Sequence, residues 1–205
     1  MTGGIERRLD DGLTALNLSV EGGVRDRLLA FVTLLHKWNR AYNLTAVRDI
    51  DTMVTRHLLD SLAILPWIEG PRLLDVGSGA GLPGIVVAIM RPDIALTSID
   101  SNGKKIRFQR QVAFELGLDN VTPVHDRVEA LAGVSFEQIT SRAFAAPSEF
   151  VDLTRALLAE GGHWLAMAGR VDDITLPDDV RLVQTWPLDI PGEQAQRHLL
   201  KMDIA

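Results

Sequence analysis

Apolar residues in the first seventy positions recur at helical spacing, whereas from Arg72 onward they come in short runs punctuated by glycine, proline and asparagine. Leu28, Phe31, Val32, Leu35, Trp38 and Tyr42 share one face of a 3.6-residue repeat, which predicts an amphipathic helix over residues 24–42. Met53, Leu58, Leu62 and Leu65 predict another over residues 51–67, ended by Pro66 and the Gly70-Pro71 pair. The later runs predict strands at 72–76, 94–99, 121–124, 136–141 and 163–168. Helices at 83–90, 104–116 and 147–159 fill the intervals, with a short helical piece at 128–131 and Gly161-Gly162 as the stop of the last helix. Residues 180–186 and 197–203 predict an antiparallel hairpin at the sheet edge. Strands alternating with helices of these lengths imply an α/β fold: a parallel sheet covered on both faces, residues 71–205, behind a helical extension, residues 1–70.

Candidate chemistry gathers after the first strand. Residues 73–84 read Leu-Leu-Asp-Val-Gly-Ser-Gly-Ala-Gly-Leu-Pro-Gly. Gly77, Gly79 and Gly81 allow a ligand to lie against bare backbone, and Pro83 suits the first turn of a helix. A strand, a glycine loop and a helix make a nucleotide-binding turn, to which Ser78 also belongs. Gly79 to Gly84 fits G-x-G-x-x-G as well, so the loop alone does not separate S-adenosylmethionine from a dinucleotide. Asp75 favours the former, because a carboxylate there meets a cationic methionine ammonium and repels a pyrophosphate. Asp100, closing the second strand, is placed to accept ribose hydroxyls, a role both cofactors share. Ligands in such sheets bind beyond the carboxyl ends of the strands, where 75–81, Asp100, 125–129 and 141–143 all fall.

Length and composition narrow the class. A chain of 205 residues holds one α/β domain with a modest extension. The absence of cysteine excludes disulfides and thiolate metal sites and suits the cytoplasm. No metal-ligand spacing is present, so no metal is expected. Residues 1–10 carry charges and no apolar stretch of a signal peptide. The longest apolar run, residues 28–35, is too short to span a bilayer, so no membrane partner is expected. The net charge of −6 argues against a polyanionic partner until its placement is considered. Residues 171–195 hold six acids against Arg181 alone, which leaves the rest of the chain near neutrality.

Five stretches together resemble the bacterial small-subunit rRNA methyltransferase G family, also called glucose-inhibited division protein B. They are Trp38-Asn-Arg-Ala-Tyr-Asn-Leu-Thr45, Arg56-His-Leu-Leu-Asp-Ser-Leu62, the glycine loop, Asp126-Arg-Val-Glu129 and Ser141-Arg-Ala-Phe144, with Arg197-His-Leu199 following. The resemblance implies a Rossmann-like class I methyltransferase with a mainly parallel seven-stranded sheet. It implies transfer of a methyl group from S-adenosylmethionine to N7 of a guanine in the 530 loop of 16S rRNA, naked or in the 30S subunit; a monomer is expected. It places cofactor contacts at Gly77, Leu82, Asp100, Val128, Glu129 and Arg142. One position departs from the family: the usual Lys-Gly after strand five reads Ala168-Gly169, with Arg170 beyond.

Arg142 is the residue expected at the transfer centre, as a positioning group that grips the cofactor carboxylate, a phosphate or guanine O6. The plainer reading is a surface pair with Glu149. Guanine N7 carries no proton, so no general base is expected. RNA contacts are expected among His36, Lys37, Arg56, His57, Lys104, Lys105, Arg107 and Arg127, with Trp38, Tyr42 or Phe144 available to stack on an extruded base. For Leu82, Val128, Trp38 and Tyr42 the competing reading is core packing, and for His57 a bond to a neighbouring helix. A small-molecule methyltransferase, a nicotinamide-dependent oxidoreductase and a cofactor-binding module without catalysis remain as alternative functions.

Overall fold

The computed structural model describes residues 2–169, 171 and 174–205. Arg170, and Asp172 and Asp173 of the acidic segment, lie outside the described residues. Helices α1 (Thr2–Ala15) and α2 (Gly22–Tyr42) lead into a broken helical segment. That segment runs through α3 (Ile50–Met53), a π-helical stretch Val54–Leu59, α4 (Asp60–Leu62) and a 3₁₀ turn Leu65–Trp67. The single helix predicted over 51–67 is thus interrupted: its middle is unwound into a wide π turn, and it ends ahead of Pro66, which brings no N–H to the ladder.

Beyond it, strands and helices alternate as β1 (Arg72–Val76), α5 (Gly84–Met90), β2 (Ala95–Asp100), α6 (Gly103–Leu116), β3 (Val121–His125), β4 (Phe136–Arg142), α7 (Pro147–Thr154), β5 (Leu158–Ala168), β6 (Val180–Pro187) and β7 (His198–Ile204). One seven-stranded sheet results, in the order β3-β2-β1-β4-β5-β7-β6. Strands β1 to β5 run parallel; β7 enters antiparallel between β5 and β6, which leaves β6 at the edge.

The sheet is apolar on both faces, as a parallel sheet must be. Successive residues of a strand enter opposite layers. Leu73, Leu165, Met167 and Leu199 pack into a core shared with α1, α2, α5 and α6. Leu74, Val76, Trp164, Ala166 and Leu200 pack into the other, with Phe150, Val151 and Leu157. Ile5, Leu9 and Leu13 join the first core at helical spacing, so the N-terminal helices widen the layer that α5 and α6 begin.

Two boundaries differ from expectation. Pro83 precedes α5 instead of opening it, and the helix starts at Gly84. Gly161-Gly162 ends no helix: α7 stops at Thr154, and β5 passes through both glycines. There β5 shifts register, pairing Phe136 with Leu158 and then Gln138 with His163. A Cβ on Gly162 would stand 2.8 Å from the Glu137 carbonyl oxygen, so the irregularity needs a bare backbone.

Among the described residues no helix is long and apolar enough to cross a membrane. In the second core the Trp164 indole N–H donates to Thr154 Oγ1 at 2.9 Å, and that hydroxyl donates to the Phe150 carbonyl at 2.6 Å. Thr154→Val leaves a buried indole donor without a partner and is expected to lower unfolding free energy by about 1–3 kcal/mol. Urea denaturation with an unchanged m-value and a lower midpoint is the check.

Candidate active site

The glycine loop leaves β1 at the carboxyl edge of the sheet. Gly77 has φ +62°, and a Cβ there would run into the Phe144 ring, so the position requires glycine twice over. Asp100, at the end of β2, receives the loop: its Oδ2 accepts the Gly79 N–H at 2.8 Å and its Oδ1 accepts the Asn102 N–H at 2.8 Å. Each carboxylate oxygen keeps spare acceptor capacity after one bond.

Beneath the loop lies a neutral brace. Gln109 of α6 donates from Nε2 to Ser78 Oγ and to the Gly79 carbonyl, both at 2.8 Å, while its Oε1 accepts from Ser98 Oγ at 2.6 Å. Gln109, Ser98 and Ser78 are all buried. Ser78 is therefore a support of the loop, with its side chain turned inward.

Asp75 is fully buried and does not line the cleft above the loop. Its Oδ2 accepts the Gly84 N–H at 2.9 Å, so it caps the start of α5 instead of meeting a ligand. Its Oδ1 has no hydrogen-bond partner among the described residues. Burial lifts its pKa to about 7, against the opposing pull of the Gly84 N–H and the Arg142 charge. A dinucleotide pyrophosphate would need the helix start that Asp75 already occupies.

A cleft of about 390 Å³ opens above Gly77 between the ends of β1, β2 and β4. Of the predicted residues it collects Gly77, Asp100, Lys105, Arg127, Val128 and Glu129, with Phe144 over Gly77. Four carboxylates line it, from Asp100, Asp126, Glu129 and Glu149, against the two cations of Lys105 and Arg127. Such a wall attracts a cationic ligand and repels an anionic one. Leu82 is not part of it; the side chain is buried in the core with Ile85, so the packing reading holds.

A second cavity, about 440 Å³, adjoins the first and shares Ala143 with it. Arg142 faces this second space and pairs neither with Glu149 nor with any group in the cleft. Its Nη1 donates to Asp60 Oδ2 and to the Arg56 carbonyl, each at 3.0 Å. Arg197 Nε stands 3.4 Å from Asp60 Oδ1. Asp60 holds the guanidinium on the far side of Ala143, facing away from the cleft in which the cofactor contacts were expected. Ala168 adds an apolar stretch of wall with Met167 and Gly169.

The expected RNA residues divide. His57 lines the second cavity but is buried; its Nε2 shares a 2.9 Å hydrogen bond with Thr45 Oγ1, and its Nδ1 one of 2.9 Å with the Arg56 carbonyl. Burial, with the Arg142 and Arg56 charges, pushes its pKa down to about 4, so it is neutral and no phosphate ligand. Arg56 pairs with Glu193 at 2.8 Å. His36 and Lys37 on α2, and Lys104 and Arg107 on α6, line neither cavity. Tyr42 rests on Trp38 and is 40% exposed, while Trp38, half-buried, packs against the core at Phe108.

Gln109, Asp60 and Arg197 were not predicted as site residues. For Asp60 a signal existed, an acid two residues before the inward Leu62 on a helical face; for Gln109 there was none beyond a polar residue among apolar helical neighbours.

A sequence profile of the family described as rRNA small subunit methyltransferase G matches residues 25–200. The ribosomal RNA small subunit methyltransferase G of Chromohalobacter salexigens is 58% identical over 205 aligned positions, which cover 98% of this chain and 99% of that protein. The fold is similar to that of TrmN from Thermus thermophilus, with a TM-score of 0.58 at 17% identity over 82% of this chain and 53% of that one. It is also similar to that of a SAM-dependent methyltransferase from Geobacter sulfurreducens solved with S-adenosyl-L-homocysteine. That match has a TM-score of 0.55 at 14% identity over 84% of this chain and 98% of that one.

Asp75 and His57 give stability opposite dependences on pH. The Asp75 pKa is about 7 folded against 3.8 ordinarily, so the folded protein holds a proton that the unfolded chain has released. Its contribution is complete below about pH 4 and disappears as pH climbs through 7. His57, at about 4 against 6.5, contributes fully above about pH 6.5 and loses this as pH drops through 4. Asp75→Asn, which keeps an acceptor for Gly84, is expected to gain stability relative to the parent as pH rises from 4 to 7. Urea unfolding at a series of pH values measures this; a difference independent of pH contradicts the assignment.

Proposed function

Because the chain belongs to the rRNA small subunit methyltransferase G family, we propose that it methylates N7 of a guanine in the 530 loop of 16S rRNA. It is an S-adenosylmethionine-dependent rRNA methyltransferase. The observation that carries the cofactor assignment is the acidic cleft above a glycine loop whose helix start is closed by Asp75. A ligand bearing a sulfonium and an ammonium suits that field, and a pyrophosphate does not.

In the proposed site, Asp100 accepts the ribose hydroxyls with the acceptor capacity its two backbone bonds leave free. Val128 and the backbone through Glu129 cover the adenine, and the bare Gly77 backbone admits the methionine portion. S-adenosylmethionine, when bound, supplies a methyl carbon activated by its attachment to sulfonium. The protein then has little proton chemistry to do, since N7 offers a free lone pair. His57, uncharged and internally bonded, has the character of a strut and not of a base. Alignment of two ligands in adjoining cavities, with water kept out, is the proposed source of acceleration. Lys105 and Arg127 at the cleft, with Lys104 and Arg107 on the exposed face of α6, are the proposed contacts to rRNA phosphates.

Labelled S-adenosylmethionine supplied to 30S particles from cells lacking the modification is expected to mark the 530-loop guanine at N7. Label at another nucleotide overturns the substrate assignment. Asp100→Ala removes both the ribose acceptor and the Gly79 anchor. It is expected to weaken S-adenosylhomocysteine binding by about tenfold or more in calorimetry, and an unchanged Kd removes Asp100 from the site.

A further inference from the structure

The second cavity has a chemical character that the cofactor does not use. Arg142 spends only Nη1 on the protein, on the Arg56 carbonyl and on Asp60. A guanidinium has five N–H donors. Those on Nε and Nη2 of Arg142 have no acceptor among the described residues, and the side chain is 23% exposed along the cavity wall. Asp60, only 6% exposed, holds that guanidinium at 3.0 Å and Arg197 at 3.4 Å. Ala143 alone is common to this cavity and the cofactor cleft.

We propose that this cavity receives the target guanine, that Arg142 reads its O6, and that Asp60 is the positioning residue that aims Arg142. The proposal rests on the methyltransferase function above and deepens it. Both purines present N7 with a lone pair, so N7 alone cannot select guanine. They differ at C6, where guanine has an oxygen acceptor and adenine an amino donor. Free N–H groups on Arg142 donate to the first and have no acceptor in the second. The arrangement also answers an electrostatic problem. N7 gains positive charge as the methyl arrives, and a bare cation at O6 would oppose it. The Asp60 carboxylate, shared between Arg142 and Arg197, offsets part of that charge, and the neutral His57 adds none. A volume of about 440 Å³ lies within the range of small-ligand sites.

The test uses 30S particles reconstituted with 16S rRNA carrying guanine, inosine or 2,6-diaminopurine at the target position. Inosine keeps O6 and lacks the 2-amino group; 2,6-diaminopurine keeps N7 and the 2-amino group and presents an amine at C6. The unaltered enzyme is expected to lose on the order of 100-fold in kcat/KM on 2,6-diaminopurine and roughly tenfold or less on inosine. Arg142→Gln offers both a donor and an acceptor. It should lose guanine transfer and bring the guanine-to-diaminopurine ratio close to one. Asp60→Asn should lower the same ratio. Both variants should bind S-adenosylhomocysteine as the parent does, which shows that they are folded. Equal use of guanine and 2,6-diaminopurine by the unaltered enzyme overturns the proposal. So does an Arg142→Gln variant that is slower yet equally selective, the result expected if the donors hold a phosphate of the RNA strand. Absence of transfer to guanine by the unaltered enzyme would instead sink the methyltransferase reading itself.

Discussion

The Asp60 carboxylate, enclosed between the guanidiniums of Arg142 and Arg197, is the contact on which the rest of the site's geometry depends. A carboxylate this buried is tolerable only with partners, and deleting one partner of such a cluster typically costs about 3–5 kcal/mol. Its members come from α4, the end of β4 and the residue before β7. One ion cluster therefore fixes the N-terminal helical layer against the carboxyl edge of the sheet. The effect propagates. Arg142 also holds the Arg56 carbonyl, which shares a hydrogen bond with His57, and His57 in turn holds Thr45. Asn39 ties the same loop to α2 by accepting the Thr45 N–H and donating to the Val47 carbonyl.

The cofactor side is built differently. Its floor is a chain of uncharged hydrogen bonds through Ser98, Gln109, Ser78 and Gly79, and its charges stand on the walls. A neutral brace satisfies the loop's buried polar atoms without adding a field of its own. The electrostatics above the loop are then set by Asp100, Asp126, Glu129 and Glu149. Two adjacent cavities thus have opposite character, one acidic and one rich in arginine, and a single strand end divides them.

Much of this was legible in the sequence wherever the signal was local. The strand 72–76 matches its prediction to the residue, because Leu73, Leu74 and Val76 make a short apolar run directly before the glycine loop. The glycine loop and Asp100 were equally readable, since strand ends and bare backbone define them. What failed was direction. Arg142 was placed at its strand end, but which way it points was not readable, because its partner Asp60 lies 82 residues earlier in the chain. His57 looked like a basic contact until burial made it neutral. Asp75 looked like a ligand group until the fold turned it under α5. Gly161-Gly162 resembled a helix stop because a register shift between strands has no one-dimensional signature.

Ala143 has φ +53°, a left-handed conformation that costs a side-chain-bearing residue roughly 1–2 kcal/mol. Glycine would relieve that cost, yet the chain keeps a methyl group at the boundary. The Ala143 side chain stands on the wall that both cavities share. With methyl donor and purine placed in the two as proposed, the size of this one side chain would gauge their reach: trimming it would slacken the gap, and lengthening it would wedge the two apart.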